Sequence, residues 1–363
     1  MQVGILGGGQ LGRMLALAGR PLGLRFRFLE PKMPAPVDDL GTVVRAAYHD
    51  PFALDRFAEG LDVVTYEFEN VPVESALRLE ARVPVHPMSR ALEVGQDRVA
   101  EKEAFAGLEI PTAPFRGVDS LGALRTAACD IGFPLVLKTR RLGYDGKGQA
   151  IVEDADGLEE AWRRLGSVPL LAEAFVRFRR ELSIVACRGY DGRCAFYPVV
   201  ENEHRAGILV RTTAPAPGLS SELQESAEGY ARKLLEALGY VGVIAIELFD
   251  ADGGLMANEL APRVHNSGHW TQDGAETSQF ENHLRAVCGF SLGSTSTIGP
   301  TVMLNLLGAI PDPGGVLAIP GAHLHLYDKA PRPGRKVGHV NVRLRDPDDV
   351  ARSVAEVEAL LER

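Results

Sequence analysis

The sequence predicts a mixed α/β and α+β protein built from three consecutive units, over residues 1–88, 89–290 and 291–363. Three observations predict it: short apolar runs alternating with helical stretches at the start, a series of strand-like runs with glycine turns in the middle, and a Gly-, Pro- and Thr-rich end with short strands. In the first unit MQVGIL, LGRMLALAGRPLG, LRFRFLEP and LDVVTYEFE carry the βαβ rhythm of an open parallel sheet. HPMSRALEVGQDRVAEKEAFAGLEIP then reads as a helical connection broken at Pro111. The runs FPLVLKTR, GQAIV, VPLLAEAFV, ELSIVACR, CAFYPVV, GVIAIELF and GGLMANEL suit a largely antiparallel sheet, with SELQESAEGYARKLLEALG as an amphipathic helix between two of them.

A chain of 363 residues, 45% hydrophobic and 24% charged, has globular composition and can bury a sizeable core. Its N-terminus leads straight into glycines where an export signal needs an unbroken apolar run, and no window approaches the roughly 20 apolar residues of a membrane span. A cytoplasmic protein is expected, with no membrane partner. Cys129, Cys187, Cys194 and Cys288 form no CxxC pair, which argues against a zinc site and a disulfide framework. The net charge of -9 disfavours nonspecific nucleic-acid binding.

Gly7, Gly9 and Gly12 form G-x-G-x-x-G between a predicted strand and a helix, where backbone amides can hold a phosphate. Glu30 ends the second strand, where a dinucleotide fold holds the ribose. Alone, the motif allows dinucleotide binding, a merely tight turn, or binding of another phosphate. The rest of the chain does not read as a dehydrogenase, which favours the third.

Lys138 lies on an apolar strand, and glycines at 143, 146 and 148 follow before the next strand. A lysine there calls for an anionic partner, and the loop amides can close over phosphates; a half-exposed lysine before a hairpin turn is the alternative. Glu173 and Glu181 stand at strand ends, either solvated or placed to accept from adenine or ribose. Glu247 and Glu259 lie on two apolar strands joined by the ADGG turn. Two such carboxylates side by side would repel, and a shared divalent cation removes the difficulty, with Asn258 able to add an oxygen; two solvated surface carboxylates are the alternative, which Lys138 upstream disfavours.

In order, Lys138, GYDGKGQ, LLAEAFV, Glu181, ELF and NELAPR resemble the ATP-grasp superfamily. More narrowly, GGGQLGRM, TYEFENV, YDGKGQ, NELAPRVHNSGHWT, FENHLRAVCG and RPGRKVGHVN resemble the 5-(carboxyamino)imidazole ribonucleotide synthetases, from residue 1 to about residue 345. The resemblance implies a Rossmann-like N-terminal domain, a two-lobed ATP-grasp central domain and a small β-rich C-terminal domain. It implies a ligase that uses ATP, bicarbonate and Mg²⁺ to carboxylate 5-aminoimidazole ribonucleotide by way of carboxyphosphate, and a homodimer.

Carried over, the resemblance assigns ATP to Arg98, Lys138, the loop Gly143, Tyr144, Asp145, Gly146, Lys147, Gly148 and Gln149, the run Glu173, Ala174, Phe175 and Val176, then Glu181, His204, Asn258 and Glu259. Magnesium falls to Glu247 and Glu259, and bicarbonate to Arg263, His265 and Asn266. The aminoimidazole ribonucleotide falls to Gln10, Leu11, Glu67, Tyr144, Asp145, Lys147, Asn266, Lys329 and Arg335. Asp145, Lys329, Arg263 and His265 are the expected catalytic groups, Asp145 orienting the amine or taking its proton. As a bare residue, Asp145 equally suits a Tyr-Asp-Gly turn, and Arg335 in RPGRK equally suits a solvated loop. Relatives often carry YDGR where this chain has Lys147, which keeps the charge without the planar fork. Two other readings share parts of the pattern: an ATP-grasp ligase activating a different carboxylate, and a silent nucleotide-binding or NAD-dependent protein.

Overall fold

The structure is a computed structural model that describes residues 1–143 and 148–361. The N-terminal strands form a parallel sheet in the order Thr42–Val44, Arg25–Leu29, Gln2–Leu6, Val63–Tyr66, as the βαβ rhythm predicts. Because side chains alternate along a strand, Val3 and Ile5 pack with Leu11, Met14 and Leu15 of the helix Gln10–Gly19, while Leu6 and Leu29 pack with Leu54, Phe57 and Leu79 on the other side.

The connection that follows breaks earlier than Pro111. Helices Ser89–Gln96 and Arg98–Gly107 meet at Asp97, whose carboxylate caps the second by accepting from Val99 N at 3.1 Å and Ala100 N at 3.5 Å. This second helix aims Arg98, Glu101 and Lys102 inward. That placement becomes important at the site.

The central unit has two lobes. A small antiparallel sheet runs Phe115–Val118, Leu170–Ala174, Leu135–Thr139, Gln149–Val152, closed by helices Leu121–Ile131 and Leu158–Arg164 around Leu124, Leu135, Leu137, Trp162 and Leu170. A nine-stranded sheet among the described residues carries the rest. Strands Arg180–Arg188, Gly242–Ala251 and Gly254–Ala261 lie toward one end, and helix Ser221–Ala237 covers them through Ala227, Ala231, Leu234 and Leu235. The C-terminal strands Thr301–Leu307, Lys336–Arg343 and Ala322–Leu326 join the edge strand Ile208–Ala214, so they extend this sheet. Their backbone donors and acceptors thereby find partners without a second sheet.

The sequence reading had no helix at the end of the chain, but Pro347–Leu361 is one. Val350, Val354 and Val357 sit on one face and cover Val302, Leu304 and Val340. Each buried valine contributes on the order of 1.5–3 kcal/mol, which holds the helix in place. Among the described residues no helix is long and apolar enough to cross a membrane.

Candidate active site

The first glycine loop holds a carboxylate of its own chain. Glu67, at the end of the strand Val63–Tyr66, accepts from Gly9 N through Oε1 and from Gly12 N through Oε2 at 2.6 Å, and Glu30 accepts from Gly8 N at 2.9 Å. A Cβ on Gly9 would stand 2.7 Å from Glu67 Oε1, one on Gly12 would stand 3.3 Å from Oε2, and Gly7 adopts φ +108 beside the same side chain. The glycines therefore make room for Glu67. The Gly9 and Gly12 amides are thus engaged by Glu67 and the Gly8 amide by Glu30, and Glu67 stands directly against the loop that leads into Gln10 and Leu11. Burial pushes the Glu67 carboxyl above its ordinary range, against the pull of the Gly12 and Gly9 amides.

Beyond this loop a cavity of about 470 Å³ draws its walls from all three units. On its nucleotide side Lys138 Nζ lies 2.6 Å from Glu173 Oε1 and donates to Asn258 Oδ1 at 3.1 Å. The expected anionic partner of Lys138 is thus present within the chain. Phe178 and Phe249 stack at 4.6 Å with planes 6° apart, beside Ala174, Phe175 and Val176, and give that end an apolar wall suited to a flat base. His204 Nδ1 and Glu181 Oε2 are 2.6 Å apart. Burial works against a charged His204, but the bond to Glu181 together with the charges of Glu247 and Glu181 outweighs it and raises the ring above its ordinary pKa.

Glu247 and Glu259 are directly paired across antiparallel strands, with a register shift just after Glu247. Burial and the facing Glu259 push Glu247 up, whereas Arg98 and Lys138 outweigh burial at Glu259 and hold it low. Arg98 Nη1 donates to Glu259 Oε2 at 2.6 Å. Two hard oxygen donors strained by mutual repulsion fit a divalent cation such as Mg²⁺, which takes one or two carboxylates and completes its shell with water and phosphate. Beside them Asn258 Oδ1 accepts from Lys138. Underneath, Glu101 Oε1 accepts from Leu260 N at 2.5 Å and fixes the strand next to Glu259.

Arg263, also in the lining, donates through Nε to Glu69, a buried carboxylate whose pKa burial would raise and Arg263 lowers. Ser267 N donates to His265 Nδ1 at 3.3 Å, so the ring proton belongs on Nε2, which faces Glu247 Oε1 at 3.5 Å. Burial, then Arg263 and Lys336, push His265 down to about 3, so the ring is neutral at pH 7. Asn266 and Asn305 exchange amide bonds of 3.1 and 2.9 Å, which fixes Asn266 at the cavity edge.

The C-terminal unit closes the far end. Lys329 Nζ donates to Gln10 Oε1 at 3.0 Å and so ties this unit to the first loop. Arg335 does not line the cavity: its Nη1 donates to Ala330 O at 3.1 Å and braces the segment that carries Lys329. Its neighbour Lys336 does line it, with Tyr327.

Of the expected residues, Gln10, Leu11, Arg98, Lys138, Gly143, Gln149, the run 173–176, Glu181, His204, Glu247, Asn258, Glu259, Arg263, His265 and Asn266 line one cavity. Glu67, Gly148, Lys329 and Arg335 lie outside its lining. Tyr144, Asp145, Gly146 and Lys147 lie outside the described residues. Sequence reasoning missed Glu69, Lys102, His269 and Tyr327. Two of these had a signal: Lys102 follows Arg98 by one helical turn, and Glu69 sits two residues after Glu67.

Comparison with known proteins accords with this arrangement. Residues 1–96 match the ribonucleotide synthetase preATP-grasp domain, 103–280 the ATP-grasp domain, and 301–353 the phosphoribosylaminoimidazole carboxylase C-terminal domain. The chain is 51% identical over 362 residues to the N5-carboxyaminoimidazole ribonucleotide synthase of Pseudomonas aeruginosa, covering 100% of both chains. It superposes on the crystal structure of the corresponding synthetase from Thermus thermophilus with TM-score 0.96 and 54% identity over 99% of each chain. An Aspergillus clavatus synthase solved in complex with ADP and 5-aminoimidazole ribonucleotide gives TM-score 0.91 and 31% identity over 100% of this chain and 98% of that one. With its three domains in register and its whole length matched at this identity, the chain belongs to the N5-carboxyaminoimidazole ribonucleotide synthase family of ATP-grasp ligases.

Proposed function

We propose that this cavity carboxylates 5-aminoimidazole ribonucleotide with ATP and bicarbonate, giving 5-(carboxyamino)imidazole ribonucleotide, ADP and phosphate in purine biosynthesis. The observation that carries the reading is the facing Glu247 and Glu259 pair in one cavity with Lys138, Arg263 and His265. Mg²⁺ held by the two carboxylates would neutralise charge on the ATP phosphates. A cytoplasmic homodimer belongs to the same reading.

Bicarbonate is a poor electrophile, so an oxygen of it must first be phosphorylated. Arg263 supplies the fixed positive charge that holds the anion, and neutral His265 offers its Nε2 proton as an uncharged donor. Lys138 stabilises the moving phosphoryl group while ADP leaves. Carboxyphosphate then breaks its C–O bond to give CO₂ and phosphate, and the exocyclic amine adds to CO₂ and loses a proton. Lys329, tied to Gln10, places a cation at the ribonucleotide end. Arg335, partly exposed on the same segment, adds a guanidinium for the ribose phosphate.

The test is ADP formation by the full chain with each component omitted in turn. ADP release should require bicarbonate and rise with aminoimidazole ribonucleotide; equal turnover with formate replacing bicarbonate would assign the site to another carboxylate.

Lys329 gives this reading a pH signature. Burial, then Arg335 and Lys336, lower its ammonium to about 8. The charge is present below that pH and lost above it. The KM for aminoimidazole ribonucleotide should therefore rise about tenfold per pH unit above the break, as a single ionisation requires, and Lys329→Arg should remove the break. A flat KM profile from pH 7 to about 9.5 would take Lys329 out of substrate binding.

A further inference from the structure

Glu173 stands between two lysines, and one of them has no role in the reading above. Its Oε2 is 3.0 Å from Lys102 Nζ, and its Oε1 is 2.6 Å from Lys138 Nζ. The three side chains differ in access: Lys102 is 2% exposed, Glu173 6% and Lys138 11%. Lys102 Nζ also donates to Thr112 Oγ1 at 2.9 Å and Ala257 O at 3.4 Å, which hold it in place beside Glu173. It is a fixed cation. Both lysines line the cavity, and Lys138, held by the carboxylate and the Asn258 amide oxygen, is the more accessible of the two.

We propose that Lys102 is a positioning residue, the standing counter-charge that keeps Glu173 neutralised when Lys138 turns from Glu173 to the phosphates of ATP. The inference rests on the phosphate-binding role proposed for Lys138. A carboxylate this buried, left without a cation, would hold Lys138 back and would repel the incoming polyanion. With Lys102 fixed on its other oxygen, Glu173 keeps one ion pair throughout and Lys138 is free to exchange. In accord with two partners, burial would raise the Glu173 carboxyl, but Lys138 and Lys102 together hold it low.

Calorimetric titration of the full chain with MgATP, beside its melting curve, tests this. Lys102→Met keeps the stem and removes the charge, and it should weaken ATP binding by roughly tenfold to thirtyfold. Adding Glu173→Gln to it removes the carboxylate that needed the counter-charge, so the double variant should bind ATP at least about fivefold more tightly than Lys102→Met. A role confined to Thr112 and Ala257 packing predicts no such recovery, and a double variant as weak as the single one overturns the proposal. Parent-like affinity in Lys102→Met also overturns it. Should Lys102→Met fail to fold, Lys102→Arg keeps the charge and must stay within about fivefold of the parent; a folded Lys102→Arg that loses ATP overturns the proposal as well. Lys138→Met, titrated alongside, separates the two ideas, because parent-like affinity there removes the phosphate-binding reading itself.

Discussion

Glu259→Gln should abolish ADP formation, with kcat falling by roughly a thousandfold or more, while the chain still folds. The substitution keeps shape and hydrogen-bonding capacity but removes one of the two facing negative charges that would hold the cation. Loss of metal-borne charge stabilisation is worth several kcal/mol of barrier, and about 1.4 kcal/mol is a factor of ten. The fold should tolerate it because Glu259 is 36% exposed to the cavity, and its partner Arg98 is left beside Glu101 and Glu173, whose charges also act on it. Steady-state ADP release and a melting curve on the same preparation decide the point. Parent-like turnover in a folded variant would remove Glu259 from the metal site.

Arg263→Ala should lower kcat/KM for bicarbonate by about a hundredfold to a thousandfold, the usual cost of deleting a preorganised donor to an anion. Its affinity for ATP should hardly change, since among the described residues its hydrogen bonds go to Glu69 and to Val264 O and none to Lys138, Glu181 or His204. Stability should fall too, because Glu69 loses its guanidinium in a mostly buried place, at a cost of about 1–3 kcal/mol. Pairing the substitution with Glu69→Gln should recover stability without recovering bicarbonate use. A variant that turns over bicarbonate normally would place the anion elsewhere.

Much of this site was legible because its chemistry leaves costly marks in sequence. A lysine in FPLVLKTR and carboxylates in GVIAIELF and GGLMANEL are expensive to bury alone, and the structure brings all three to one cavity. The glycine loop is ambiguous in sequence, since amides arranged for a phosphate and amides arranged for Glu67 need the same glycines. Telling them apart requires knowing that the strand Val63–Tyr66 lies beside Gln2–Leu6 and delivers Glu67 under the loop. Lys102 went unnoticed for a similar reason: on a helix a lysine reads as solvated until its face is known. The break at Asp97 and the final helix were misjudged locally. A capping aspartate and valines at helical spacing are short-range signals, and here they outranked Pro111 and the glycine-rich composition of the last unit.

The central claim is that the site phosphorylates bicarbonate before carbon–nitrogen bond formation. Bicarbonate labelled with ¹⁸O on all oxygens, incubated with ATP, aminoimidazole ribonucleotide and the full chain, tests it by mass analysis of the inorganic phosphate. Transfer through carboxyphosphate leaves one oxygen of bicarbonate on phosphorus, so one ¹⁸O per phosphate is the predicted result. Phosphate free of label, formed alongside carboxylated product, would mean that bicarbonate is never phosphorylated here, and would contradict the account.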